Sequence, residues 1–336
     1  MTASVRDVAA AAQVSVGTVS NVLNRPEKVS PETASRVRQA IAQLGFIRND
    51  VARQLRAGRS RAIGMVVLDL RNPFFTDVAR GAQERAAEHG LSVFVTGSDE
   101  RPERERSALE LFEQQRIAGV LVTPIADDLP ALRSMRDRGI PIVLVDRESR
   151  ERAFPSVAVD DVEGGRIAAQ HLLDGGRRQL AVVGGPALLR QVTDRREGAR
   201  QAVQATPGAT LEHIETVGLT VEEGRRAAGR IADRAPARRP DAIFAANDLV
   251  ALGLLQGFVM TGEVRVPGDV ALIGYDDIDF AAAAVVPLSS VRQPAELIGS
   301  TAVDLLLQAS AGSRAHEQVL FHPELVVRAS TGTEQA

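Results

Sequence analysis

Residues 5–24, VRDVAAAAQVSVGTVSNVLN, read as two short helices joined by a tight turn. Val8, Ala9 and Ala12 fall on one face of the first helix. Val19, Val22 and Leu23 repeat the pattern beyond a turn at Gln13-Val14-Ser15. Ser15 suits the N-cap of the second helix, because its hydroxyl can accept from a backbone N–H that has no partner within the helix. That helix carries Thr18, Ser20 and Asn21 on its outer face, the small polar surface a helix needs to enter a DNA major groove. The same twenty residues also read as an ordinary helical hairpin, and the rest of the chain decides between the two.

Working outward, Ser30-Pro31-Glu32 supplies an N-cap, a proline at the first helical position and an acid in the first turn. A third helix follows with Val37, Ile41 and Leu44 inward, and Gly45 ends it. Asn49 to Arg56 offers one or two capped helical turns, too short to be stable alone. Ala57-Gly58-Arg59-Ser60 then reads as a flexible break and the best domain boundary. Residues 1–60 hold nine basic side chains against four acidic ones, a net +5 that leaves −8 for the rest of a chain whose total is −3. A basic head on an acidic body is a footprint of phosphate-backbone binding by the head.

From Ile63 the pattern changes to strands alternating with helices. IGMVVLDL (63–70), LSVFVTG (91–97), GVLVTP (119–124), IPIVLVD (140–146) and SVAVDD (156–161) form a first series, with helices after Asn72-Pro73 and over 102–116. QLAVVGG (179–185), DAIFAAN (241–247) and VALIGYDD (270–277) belong to a second, with helices over 162–174, 194–204 and 249–260. Apolar runs of this length separated by helices indicate parallel sheets covered on both faces, here two α/β lobes of five or six strands each. Residues 287–291 and 319–328 read as late strands that cross back between lobes.

The chain has no cysteine, which excludes a disulfide framework, a thiolate metal site and a cysteine nucleophile. The start, MTASVRDVAA, lacks the apolar core of a secretory signal, and no apolar run is long enough to span a membrane, so a cytoplasmic protein is expected. No G-x-S-x-G, H-E-x-x-H or phosphate loop occurs, and the five histidines are scattered. Neither catalysis nor a metal or cofactor is therefore expected.

In order and spacing, the residues DVA (7–9), TVSNVLN (18–24), LGF (44–46), NPFF (72–75), PIVLVDR (141–147), VDDVEGG (159–165), HLLDGGRR (171–178), Arg195 with Gly198, AAND (245–248), VPGDVALIGYDD (266–277) and PLSSVRQP (287–294) span nearly the whole chain. In these the sequence resembles the lactose-repressor/galactose-repressor (LacI/GalR) family of bacterial transcription regulators. The resemblance implies an all-α helix-turn-helix head (1–48), a hinge helix and linker (49–61) and a two-lobed parallel-sheet core (62–330) like periplasmic sugar-binding proteins. Lobe 1 is expected over about 62–160 with 290–320, and lobe 2 over about 161–289 with 321–330. It also implies a homodimer on a pseudo-palindromic operator, with affinity set by a small molecule, a sugar or sugar derivative, in the cleft between lobes. The terminal STGTEQA carries no heptad pattern, so a dimer is expected rather than a tetramer.

By the same resemblance, Ser15, Val16, Gly17, Thr18, Ser20 and Asn21 meet DNA through the second helix, and Asn49, Ala52 and Leu55 through the hinge. Val16 can touch a thymine methyl and Asn21 can pair with adenine, whereas Thr18 and Ser20 also suit phosphates. Leu55 looks like the family's minor-groove wedge, although it also reads as a leucine buried at the junction of head and core. Gly17 and Asn21 depart from familiar members, and Gln13 occupies a turn position that prefers glycine or asparagine. For the effector, Asn72, Phe74, Asp146, Arg195, Asn247, Asp276 and Gln293 are carried over, with Arg195, Asn247 and Asp276 bonding a sugar-like or nucleobase-like ligand. Asn247 can equally cap the next helix, and Asp146 can satisfy a turn. Arg195 is expected to have few structural partners. Leu219 falls near a position where members place an aromatic platform. A solute-binding protein of the same core fold is the competing reading, against which the basic head and the missing signal argue.

Overall fold

The structure is a computed structural model that describes residues 3–46, 60–126, 129–149, 153–312 and 317–332. The chain divides into two compact units, Met1–Ser60 and Arg61–Ala336. Asn49, Ala52 and Leu55, with nearly all of the expected hinge, lie outside the described residues.

In the first unit, helix α1 (Val5–Ala11) opens with a reciprocal cap between Ser4 and Asp7. Helix α2 (Val16–Asn24) is capped by Ser15, whose Oγ accepts from the Thr18 N–H at 3.0 Å. Between them Gln13 takes φ 54°, a left-handed backbone that costs a non-glycine residue about 1–2 kcal/mol. Helix α3 (Pro31–Leu44) is capped by Ser30 and stops at left-handed Gly45. Val8, Ala9, Ala12, Val19, Val22, Ala34, Val37 and Ala40 form the buried core of this unit. Its small side chains draw the three helices close together.

The second unit carries a six-stranded parallel sheet. In spatial order it runs β11 (Gln318–Phe321), β5 (Ser156–Val159), β4 (Ile142–Val145), β3 (Gly119–Val122), β1 (Ala62–Val67) and β2 (Ser92–Gly97). A four-stranded parallel sheet holds β7 (Thr210–Ile214), β6 (Gln179–Val183), β8 (Ala242–Ala245) and β9 (Ala271–Ile273). The six-stranded sheet agrees with the five or six strands per lobe read from the sequence, whereas the four-stranded sheet falls short of it. Its β7 goes unread in the sequence, and the run read as a strand to Asp277 pairs with β8 only through Ile273, beyond which it bonds to residues 289–291. There Asp276 and Asp277 take φ 104° and 56°. A Cβ on Gly274 would sit 2.0 Å from Asp248 Oδ1, so only glycine fits beside that carboxyl. The strand β10 (Ser290–Arg292) pairs antiparallel with β12 (Glu324–Val326).

The chain passes between lobes three times. It leaves lobe 1 after β5, returns through β10 into helix α12 (Ala295–Ser310) against β3, β4 and β5, and crosses again between β11 and β12. Helix α12 goes unassigned in the sequence reading, because its buried face mixes glycine and alanine with leucine and blurs the period.

Three helix pairs close on mutual glycines. Helix α4 (Pro73–Glu88) meets α12, where a Cβ on Gly81 would lie 2.1 Å from the Glu296 carbonyl oxygen and one on Gly299 1.9 Å from that of Val78. Helix α7 (Asp161–Asp174) meets α8 (Arg190–Gln204) through Gly165 and Gly198, with corresponding distances of 1.9 Å to Arg195 and 1.8 Å to Val162. Helix α9 (Val221–Ala232) meets α10 (Asp248–Thr261) through Gly224 and Gly253. Each pair sets backbone on backbone, so any side chain there must force the helices apart. Gly198→Ala is expected to destabilise the protein by about 2 kcal/mol or more through overpacking. Gly229→Ala, in α9 with open space at its Cβ, should stabilise it by up to about 1 kcal/mol. Paired denaturant melts read both; equal effects would contradict the close-packing account.

Candidate effector site and recognition helix

Ligands bind open parallel sheets beyond the carboxyl ends of the strands, where the strand order reverses. In lobe 1 that point lies between β1 and β3, and in lobe 2 between β6 and β8. The strand ends of both lobes meet around a cleft. Asn72, Phe74, Asp146, Arg195, Asn247 and Asp276 all line it. Gln293 stands one step behind and lines a neighbouring cleft together with Asp276.

Sequence explains how each side chain arrives. Asn72 caps α4, its Oδ1 accepting from the Phe74 N–H at 3.1 Å, which leaves its Nδ2 to donate to Asp276 Oδ2 at 2.9 Å. Gln293 Nε2 donates to the other oxygen of the same carboxylate at 2.8 Å. The VDDVEGG segment divides its duties residue by residue. Asp160 caps α7 by accepting from the Glu163 N–H, and Asp161 accepts from Arg195 Nε at 2.7 Å. Gly164 makes room for the Tyr275 hydroxyl, and Gly165 admits the backbone of α8.

Arg195 has many structural partners, contrary to the expectation of few. Beyond Asp161, its Nη1 donates to the Ala246 carbonyl at 2.7 Å and lies 3.9 Å from Asp276 Oδ1. Its guanidinium carbon sits 3.6 Å from the centroid of the Tyr275 ring. The residue occupies the second turn of α8, whose start four residues before the expected one turns it inward. Asn247 caps the next helix and also lines the cleft. Its Oδ1 accepts from the Val250 N–H as a helix cap, and its Nδ2 donates to the Leu219 carbonyl while the side chain faces the cleft. Asp146 sits in a left-handed backbone at φ 55°, and its Oδ2 and carbonyl oxygen both accept from Gln191 Nε2, at 3.0 and 2.9 Å. Its Oδ1 is buried with no partner among the described residues.

Leu68, Phe75, Glu100, Leu189 and Gln191 also line the cleft and were missed. Gln191 had a signal: it stands one helical turn before Arg195, on the same face. Drawing the start of α8 at residue 194 hid it, because Leu189 at the true start provides no side-chain cap. Leu219 does line the cleft, where an aromatic platform would offer stacking surface; the rings available are Phe74 and Phe75, packed edge to face at 5.0 Å.

The electrostatics are dominated by burial. It pushes the carboxyls of Asp146, Asp161 and Asp276 up, against the pull of Arg195 on all three. Burial opposes the charge on Arg195 as well, but Asp161 and the neighbouring acids outweigh it, so its pKa rises and it stays charged. Burial also lifts Glu100 to about 7. Among the described residues no group of three or more His, Asp or Glu is placed to hold a metal ion.

In the head, Val16, Gly17 and Asn21 are exposed on α2, Val16 by 44 %. Hydrogen bonds tie the Thr18 hydroxyl to Ser15 at 2.9 Å and the Ser20 hydroxyl to Asn24 Nδ2 at 3.2 Å.

Removing Arg195 strands several buried carboxyls at once, so Arg195→Ala is expected to cost about 3–5 kcal/mol in a denaturant melt. A loss below 1 kcal/mol would mean that the guanidinium does not hold the cluster. The pH dependence follows from the raised carboxyls. Between the ordinary value near 4 and the folded values, the native state holds protons that the unfolded chain has released. Stability therefore falls as pH rises through that window. The unfolding midpoint should drop between pH 5 and pH 8, and Asp146→Asn should make the drop shallower; a midpoint that rises over this range contradicts the assignment.

Both units match known families. Residues 4–49 match the model for bacterial regulatory proteins of the lacI family, and residues 60–327 match that for periplasmic binding proteins and the sugar binding domain of the LacI family. The ribose operon repressor of Bacillus subtilis is 36 % identical over 305 residues, covering 91 % of each chain. Among solved structures, the complex of the transcriptional regulator CelR with cellobiose is 31 % identical with a TM-score of 0.73, covering 98 % of this chain and 99 % of that one. The lac repressor dimer bound to operator and the anti-inducer ONPF is 27 % identical with a TM-score of 0.82 and the same coverage. A helix-turn-helix followed by a two-lobed parallel-sheet core, each matched in that order, places the chain in the LacI family of bacterial regulatory proteins.

Proposed function

We propose that this protein is a ligand-responsive repressor that binds a pseudo-palindromic operator as a homodimer and changes its grip when a carbohydrate enters the cleft between lobes. The observation that carries this reading is the pairing, in one chain, of an exposed polar recognition helix with a cleft lined by Asn72, Phe74, Asp146, Arg195, Asn247 and Asp276. Similar proteins are named as a ribose operon repressor, as a regulator bound to cellobiose and as a dimer bound to operator.

On the DNA side, helix α2 enters the major groove, with Val16 against a thymine methyl and Asn21 on adenine. Ser15, Thr18 and Ser20 serve the phosphates, since their hydroxyls are already tied to neighbours that fix their direction. Gly17 lets the helix approach closely; a Cβ there would meet only Ser15 Oγ, at 3.5 Å. In this reading residues 49–61 form the hinge, with Asn49, Ala52 and Leu55 at the minor groove, and the core from 62 to 330 senses the effector. The protein works in the cytoplasm, performs no catalysis and needs no cofactor. Among the described residues no helix is long and apolar enough to cross a membrane.

The chain should retard a palindromic site near its own gene, with an affinity that falls steeply with salt. Asn21→Ala should cost about 1–3 kcal/mol on that site and leave binding to unrelated DNA unchanged. No retardation of any such site at moderate salt would refute the repressor reading. Equal losses on both DNAs would instead put Asn21 on the phosphates.

A further inference from the structure

We infer that Glu100 is a specificity residue of the cleft: its carboxylate receives a hydrogen-bond donor from the ligand, so the site takes uncharged polyols or amino sugars and rejects phosphorylated or carboxylated ones. This deepens the effector reading above and rests on it.

Glu100 follows the end of β2 in a turn that spends backbone energy to aim it. Asp99 and Glu100 both take left-handed backbone, with φ 49° and 58°. Two consecutive non-glycine residues in that region are strained and persist only where the surroundings hold them. Here the Ser98 N–H donates to the Val67 carbonyl at 2.9 Å, the Glu100 N–H to Leu68 at 3.3 Å and the Arg101 N–H to Ser98 at 3.0 Å. The turn thus hangs on the end of β1 and sends the Glu100 carboxylate into the cleft. There it reaches lobe 2, where a Cβ on Gly218 would lie 3.4 Å from its Oε2. A carboxylate offers about four acceptor positions for a ligand's donors.

The charge of the lining sets the ligand class. Asp69, Glu100, Asp146 and Asp276 bring four carboxyls to the cleft, and Arg195 is the one cation lining it among the described residues. That guanidinium is already committed to Asp161, the Ala246 carbonyl and the Tyr275 ring. Arg71, whose charge acts on Glu100, is held by both oxygens of Asp69 at 2.9 and 3.1 Å. An anionic ligand would find no free cation in this lining, and each acid there, proton-bearing or ionised, adds no positive charge to offset it. Hydroxyl or ammonium hydrogens find acceptors on every polar side. Leu68, Phe74 and Phe75 cover the apolar face of a sugar ring.

The test is a thermal-shift panel on the full chain with D-ribose, D-glucose, cellobiose, D-glucosamine, ribose 5-phosphate, glucose 6-phosphate and glucuronate. The best probe is then titrated calorimetrically into the wild type and Glu100→Gln. Gln keeps the size of the side chain and an acceptor oxygen, so the unliganded unfolding midpoint should move by no more than about 2 °C. The best probe should be uncharged or amine-bearing, and Glu100→Gln should weaken it tenfold or more while narrowing the gap between glucose and glucose 6-phosphate. A phosphorylated or carboxylated best probe, or an affinity that Glu100→Gln leaves alone, overturns this inference and keeps the effector reading. A panel with no stabilising probe counts against the effector reading itself and takes the inference down with it.

Discussion

One guanidinium set among buried acids organises the effector half of this protein. Arg195 is held by Asp161 on α7, the Ala246 carbonyl at the end of β8 and the Tyr275 ring after β9. Three elements of lobe 2 therefore agree on a single position for it. Asp276, beside it, is gripped from lobe 1 by Asn72 and from the crossover by Gln293. A buried charge pair is seldom a net gain in stability over apolar packing, because desolvation offsets most of the attraction. Its value here is positional: the site is already arranged before a ligand arrives.

That arrangement depends on small residues as much as on charge. Gly165 and Gly198 bring α7 and α8 so close that Asp161 and Arg195 meet across the gap, and Gly164 leaves space for Tyr275 beneath them. Gly81 with Gly299, and Gly224 with Gly253, repeat the device in the two other helix pairs. The helices that frame the site are thereby held backbone to backbone, with little slack for the side chains to drift.

Much of this was legible in the sequence, for identifiable reasons. The caps at Ser15 and Ser30 and the stop at Gly45 are local chemistry, and the structure reproduces them. Gln13 in a turn that prefers glycine was readable too, and it does adopt the left-handed backbone. The polar residues at strand ends could be picked out because a parallel sheet puts its ligand groups there. What stayed hidden depends on partners distant in sequence. Nothing around Arg195 announces Asp161, the Ala246 carbonyl or Tyr275, so its structural ties were invisible. Glu100 lies in a charged stretch, DERPERER, that reads as solvated surface, and only the two left-handed residues at its start turn it into the cleft.

The threefold crossing of the chain between lobes has a mechanical meaning. A single connecting strand would let one lobe bend, twist and slide on the other. The segments after β5, before α12 and between β11 and β12 act instead like parallel straps, two of them stitched together by the β10–β12 ladder. Straps side by side resist shear and torsion far more than flexing across their common line. An opening and closing rotation is the movement that three such crossings oppose least.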